Sequence, residues 1–183
     1  MYGSYRTAAD GPGIADINGH LTRGVAQRVA EYLPLKLASG SREWLDRAFS
    51  AGSSSDVRFR LKGDLKNFPF ADEKSGIFEV AAKINDGSVH YGENWPDITG
   101  IDGDLLFRGQ RMDINVRQAM LNNVRLGKVR LKIPDLIHGA EVLEIAGEAE
   151  GASSDFLDFI HKLCLSNTNH SSLQNTISTS FVD

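Results

Sequence analysis

A clean alternation of apolar and polar residues, repeated in six segments, constrains this chain more than any other feature. Ala15, Ile17, Gly19 and Leu21 alternate with Asp16, Asn18 and His20, and Val57, Phe59 and Leu61 alternate with Arg58, Arg60 and Lys62. Phe78, Val80, Ala82 and Ile84 stand against Glu79, Ala81 and Lys83; Met112, Ile114 and Val116 stand against Asp113, Asn115 and Arg117. Val129, Leu131 and Ile133 interleave with Lys128, Arg130 and Lys132, and Leu143, Ile145, Gly147 and Ala149 with Glu144, Ala146, Glu148 and Glu150. Successive strand residues point to opposite faces. Each segment therefore carries one apolar and one wet face, as in an antiparallel sheet.

Turn residues separate the segments. Asn85-Asp86-Gly87 lies between Ile84 and Val89-His90-Tyr91, and Asp-Gly is a favoured tight-turn pair, so a hairpin is expected there. Gly109-Gln110-Arg111 separates Leu105-Leu106-Phe107 from Met112, and Asn122-Asn123 divides Met120-Leu121 from Val124-Arg125-Leu126 as a turn or a bulge. Pro134 ends the strand before it, because proline cannot donate to the ladder. The expected fold is mainly β, an antiparallel meander with a few short helices. Helical spacing places those helices near residues 22–33, 41–50 and 153–164: Val25, Val29, Tyr32 and Leu33 in the first, Trp44, Leu45, Ala48 and Phe49 in the second, Phe156, Phe159, Ile160 and Leu163 in the third. Residues 1–164 then form one β-rich segment, and the Ser-, Thr- and Asn-rich stretch 165–183 reads as a loose polar tail. A Gly-polar-Leu/Ala pattern recurs at Gly19, Gly63, Gly103 and Gly147, a period compatible with either a stacked strand array or chance.

Composition narrows the function classes. With 183 residues, 41% hydrophobic and 24% charged, the chain suits one folded domain. A net charge of −4, with Lys and Arg interleaved among acids, argues against a nucleic-acid partner. One cysteine, Cys164, excludes an internal disulfide and a multi-Cys metal site. No stretch approaches the ~20 apolar residues that a membrane-spanning helix needs. The first ten residues lack the apolar core of an export signal and read as an opening in mid-strand.

The search for chemistry gives no catalytic, metal or cofactor site. The histidines His20, His90, His138, His161 and His170 share no metal-ligand spacing. His161 and Cys164 lie close in sequence but have no third, orienting group beside them. Asp102 and Asp104 flank Gly103 and would share one strand face, which fits a divalent cation or a glycosidase pair; polar positions on a one-sided strand account for them more simply, as for Asp72 and Glu73. Gly11-Pro12-Gly13 and Gly100-Ile101-Asp102-Gly103 lack the lysine and strand–loop–helix setting of a phosphate loop. The basic stripes Arg58, Arg60, Lys62 and Lys128, Arg130, Lys132 can face anionic head groups or neighbouring acidic strands.

Several strings, in order, resemble the YhdP-type branch of the AsmA-like family. They are Asp16-Ile-Asn-Gly-His-Leu-Thr-Arg23, Tyr32-Leu-Pro-Leu35, Glu43-Trp-Leu-Asp-Arg-Ala-Phe49 and Leu61-Lys-Gly-Asp-Leu-Lys-Asn-Phe-Pro-Phe70. Tyr91-Gly-Glu-Asn-Trp-Pro96, Ile101-Asp-Gly-Asp-Leu-Leu-Phe-Arg-Gly109, Val124-Arg-Leu-Gly-Lys-Val129, Ile133-Pro-Asp-Leu136 and Glu148-Ala-Glu-Gly151 follow. The likeness covers about residues 5 to 163. It is expected to stop before residue 165, as at a truncated or altered end.

The resemblance implies an AsmA/TamB-like repeat: a curved, groove-like sheet forming an internal stretch of a long, inner-membrane-anchored periplasmic protein. It further implies a greasy interior along which phospholipids pass toward the outer membrane, no catalytic residues and no cofactor. The partners implied are phospholipid acyl chains and flanking segments of the same protein. A continuous apolar sheet face needs a cover, and an acyl chain buried on it gains ~0.8 kcal/mol per methylene. Phe59, Leu61, Phe78, Val80, Leu105, Phe107, Ile114, Val116, Val129, Leu131 and Ile145 are the candidate lining; core packing beneath the helices is the competing reading for each.

Overall fold

The computed structural model describes residues 1–28, 47–90, 96–136 and 144–158. Strands make up 64% of them, so the protein is mostly antiparallel sheet, curved and unclosed. Among these residues ten strands follow in chain order: β1 (Tyr2–Arg6), β2 (Ile14–Leu21), β3 (Gly24–Val25), β4 (Phe49–Ser54) and β5 (Val57–Asp64), then β6 (Gly76–Val89), β7 (Ile98–Arg108), β8 (Arg111–Leu121), β9 (Val124–Ile133) and β10 (Glu144–Glu150). The spatial order is β1-β2-β5-β6-β7-β8-β9-β10, with β4 beside β3 and β6. β4 and β5 run along successive parts of β6, pairing Phe49 with Val89 and Gly63 with Gly76. β3 likewise extends β2, pairing Gly24 with Ser54. The topology is thus the simple meander that the alternation predicts.

Local chemistry explains the connections. Arg108 pairs with Arg111 around Gly109-Gln110, and Gly109 takes φ +59°, as the first position of a tight II′-type hairpin requires. Leu121 pairs with Val124 around Asn122-Asn123, with Asn122 at φ 52°, a conformation that Asn tolerates. β9 stops at Ile133, immediately before Pro134. Between β5 and β6, the Asp64 carboxylate caps a 3-10 turn (Leu65–Asn67) by accepting from the Lys66 N–H. The peptide bond Phe68-Pro69 is cis. Asp72 then closes a second turn, accepting from the backbone N–H groups of Lys74 and Ser75 and from the Ser75 hydroxyl.

Three expectations change. The hairpin at Asn85-Asp86-Gly87 is absent: β6 continues through it to Val89, with a register shift against β7 between Ile84 and Gly87. Asp86 does take a left-handed φ of 50°, so the Asp-Gly signal marks a bulge instead of a reversal. At the start of the helix expected near 22–33, Gly24–Val25 instead form strand β3, followed by one 3-10 turn at 26–28; residues 29–33 lie outside the described residues. Of the helix expected at 41–50, residues 47 and 48 are helical and Phe49 begins β4, while 41–46 lie outside the described residues. The third helix is present over 153–158, and its expected continuation to 164, with the tail 165–183, lies outside the described residues.

Buried apolar residues are few: Ala15, Ala48, Phe70, Ile101, Val116, Ala119, Leu121 and Val124 among the described residues. Ile101, Val116 and Ala119 form one cluster, against which Ile84, Val89, Ile98, Ile114, Leu126, Val129 and Leu131 pack. Phe70, 1% exposed, closes the opposite end of β5 and β6.

Candidate functional site

Residues paired across antiparallel strands point to the same face, so the register shows which side chains share a surface. Leu21 pairs with Val57, Val57 with Ala82, Ala82 with Leu105, Leu105 with Ile114, Ile114 with Leu131 and Leu131 with Ile145. That single row is apolar across seven strands. At ~4.8 Å per strand it runs roughly 29 Å, close to the ~30 Å hydrocarbon thickness of a bilayer. A parallel row joins Gly19, Phe59, Val80, Phe107, Met112 and Ile133. A third begins Ile17, Leu61, Phe78, and a fourth runs Ile84, Gly103, Val116, Val129.

All eleven candidate lining residues therefore lie on one face, distributed over these four rows. Their exposure differs. Val116 is buried within the core cluster, and Ile145 on the outermost strand is 59% exposed. Phe59, Leu61, Phe78, Val80, Leu105, Phe107, Ile114, Val129 and Leu131 are half-buried. Phe78 is covered in part by the protein itself, with the Phe68 ring centroid 5.0 Å away and Phe59 at 6.3 Å. Phe68 also meets Phe70 edge-on. The connection between β5 and β6 thus folds an aromatic lip over that margin of the face. Phe68 and Phe70 carry no signal in the alternation, because a loop has no periodicity to read. Of the four recurring glycines, Gly19 pairs with Phe59, Gly63 with Ala15 and Gly103 with Ile84, three different rows, so their spacing marks no equivalent position.

The opposite face is charged, and many of its charges are paired within it. Asp16 receives Arg60 at 2.5 Å and Lys62 at 3.7 Å, Glu79 receives Arg108 at 2.8 Å, and Glu148 receives Lys128 at 3.6 Å. Asp56 binds Arg58 at 3.1 Å and His20 at 3.0 Å. The stripe Arg58, Arg60, Lys62 is thereby spent on neighbouring acids. The Arg60 hydrogen bond lowers the Asp16 carboxyl, and the Arg58 hydrogen bond lowers Asp56. His90 contacts Asp97 at 2.7 Å where β6 meets its connection to β7. His138, His161, His170 and Cys164 lie outside the described residues.

Asp102 and Asp104 do project from alternate positions of β7, but to separate partners. Asp104 pairs with Arg117. Asp102 accepts from the Asp86 backbone N–H at 3.0 Å and from the Gln118 side-chain amide at 2.6 Å; these bonds, that of Asp86 first, lower its carboxyl. Asp72 is lowered chiefly by the Ser75 hydroxyl, which is turn closure. Among the described residues, no three His, Cys, Asp or Glu side chains gather as a metal site, and no helix is long and apolar enough to cross a membrane.

The family model described as YhdP protein matches residues 1–179. The match extends past residue 165, where the likeness was expected to stop, so the polar C-terminal stretch also belongs to the family pattern. No curated protein and no solved structure matches the chain. With nearly its whole length matched, the chain belongs to the YhdP family, within the AsmA-like group of envelope proteins.

Proposed function

We propose that this chain is a non-catalytic stretch of a lipid-conducting groove, holding phospholipid acyl chains on the apolar face of its sheet in the periplasm, between inner and outer membranes. The observation that carries this reading is the seven-strand apolar row from Leu21 to Ile145, flanked by parallel apolar rows that are mostly half-buried. A face of this kind is too greasy to be left to water. Each methylene laid on it contributes ~0.8 kcal/mol, so ten methylenes outweigh any exposed ion pair on the other face. The polar face, with many of its charges paired within it, turns to solvent. In this reading flanking segments of the full-length protein continue the groove, and an inner-membrane anchor tethers it.

Native mass spectrometry of the purified chain, with extraction and identification of co-purifying lipid, tests the proposal. Bound phospholipid is expected; a chain that stays lipid-free after incubation with phosphatidylethanolamine–phosphatidylglycerol vesicles would refute it.

A second reading, a structural or interaction module of the envelope, draws on one observation. Both outer strands, Tyr2–Arg6 and Glu144–Glu150, are exposed along their whole length, and an open strand edge is a template for pairing. Lipid-free protein that assembles through these edges favours this alternative.

A further inference from the structure

The apolar face survives a change of phase. Along β6 the inward residues are even-numbered up to Ile84, and then Gly87 and Val89 take over. Along β8 they are Met112, Ile114 and Val116, then Ala119 and Leu121. Along β7, Ile98 precedes Ile101, and along β9, Val124 and Leu126 precede Val129. Each of these four neighbouring strands makes one step of three where alternation takes steps of two: Ile84 to Gly87, Ile98 to Ile101, Val116 to Ala119, Leu126 to Val129. Without compensation, such a slip would turn every later apolar residue to the wet face. Instead Ile84, Val89, Ile98, Ile101, Val116, Ala119, Leu126 and Val129 all pack in one cluster.

Backbone irregularities absorb the slip. Registers shift between Ile84 and Gly87, between Thr99 and Gly103, and between Ala146 and Glu148 opposite β9. Asp86, Gly100 and Lys128 take φ values of 50°, 59° and 50°. Bulges bend a strand and increase its twist, and here they line up across adjacent strands as a crease. Asp102 sits in this line. One carboxylate oxygen accepts from the bulged Asp86 on β6, and the other from Gln118 in the bulge on β8.

We propose that Asp102 is a positioning residue that staples this crease, keeping the apolar phase beyond it on the lining face. The inference deepens the groove reading but is tested without lipid. In a Cys164→Ser background, single cysteines are placed beyond the crease at Val124 (3% exposed) and Arg125 (exposed), and before it at Leu131 and Arg130. Labelling by a water-soluble maleimide should be about tenfold faster at 125 than at 124, since a buried thiol reacts only through local opening, and faster at 130 than at 131. Asp102→Ala should erase most of the 124/125 contrast and preserve that at 130/131. Asp102→Asn should restore both, because asparagine can accept from Asp86 and donate to a reoriented Gln118 amide. Asp102→Ala that keeps both contrasts, or a folded one that loses both, overturns the proposal, as does Asp102→Asn behaving like Ala. Should Asp102→Ala fail to fold, Gln118→Ala cuts only the β8 arm and decides by the same criterion. Absence of bound lipid would refute the groove and leave this outcome unaffected.

Discussion

The ring of Phe70 fills the space that a side chain on Gly76 would need. A Cβ built on Gly76 falls 2.5 Å from ring carbons Cδ1 and Cε1, and one on Gly63, whose φ is +134°, falls 2.9 Å from Cε1. Gly76→Ala must therefore displace the ring or the strand and should cost about 1–3 kcal/mol in urea unfolding. Gly63→Ala adds the strain of a backbone that L residues avoid. Phe70→Ala, which empties the site, should cost about 3–5 kcal/mol. Midpoints unchanged in all three would show that this plug contributes nothing.

Acid should loosen the sheet. Asp16, Asp56, Asp72 and Asp102 are all held below the ordinary 3.8, first by Arg60, Arg58, the Ser75 hydroxyl and the Asp86 N–H respectively. A depressed folded-state value means that the folded protein favours the charged form. Their contribution is complete above the unfolded value and is lost as pH falls through 3.8 and onward through the lower folded values. Melting followed by circular dichroism should be insensitive to these groups above about pH 5 and fall below about pH 4. Asp16→Asn and Asp72→Asn should each flatten that fall, and a slope unchanged by both would contradict the assignment.

Asp104 offers a contrast with Asp102. It and Arg117 are 51% and 54% exposed, where solvent screening leaves ion pairs weak. Asp104→Asn should move the unfolding free energy by no more than about 0.5 kcal/mol and leave lipid recovery unchanged. Loss of a hydrolytic activity in this variant would revive a catalytic role for the pair.

A charge placed in the long apolar row should block it. Leu105→Lys or Ile114→Asp should lower the phospholipid recovered per mole of chain about fivefold or more, since a charge on the greasy face must be desolvated when a tail covers it. Asn115→Lys, beside Ile114 but on the polar face, should leave recovery intact. Equal losses at both positions would show that the side of the sheet does not matter.

How much of this is legible in the sequence follows from what apolar–polar alternation can and cannot carry. Within a regular strand it is a strong guide: the phases of Val57–Leu61, Phe78–Ile84 and Met112–Val116 place those residues on a common face, and the register joins them. It fails where the backbone leaves the pleat. Asp86-Gly87 carries the composition of a hairpin turn, but β6 has pairing partners on both sides there, and those ladders hold the strand through the irregularity. The three-residue steps at Val116–Ala119 and Leu126–Val129 stood in the sequence as breaks in alternation. Their meaning depended on neighbouring strands slipping together, a relationship between segments that no single window contains. Gly24–Val25 reads as the start of an amphipathic helix because Val25 fits its apolar stripe; pairing with Ser53 and Ser54 decides otherwise. Asp102 drew notice for its neighbour Asp104, whereas its structural partners sit 16 residues away on either side.

The largely sequential pairing has a consequence for how the sheet is made. From β6 onward every described strand docks on the one before it, so the product of synthesis so far is already the template for what emerges next. Such near-neighbour closure favours rapid folding. Among the described strands the longest wait is for β2, which must hold its exposed ladder until β5 arrives, with Asp16 meeting Arg60 44 positions further along the chain; β4 waits in the same way for the end of β6. That interval is where an unfinished copy is most open to mispairing.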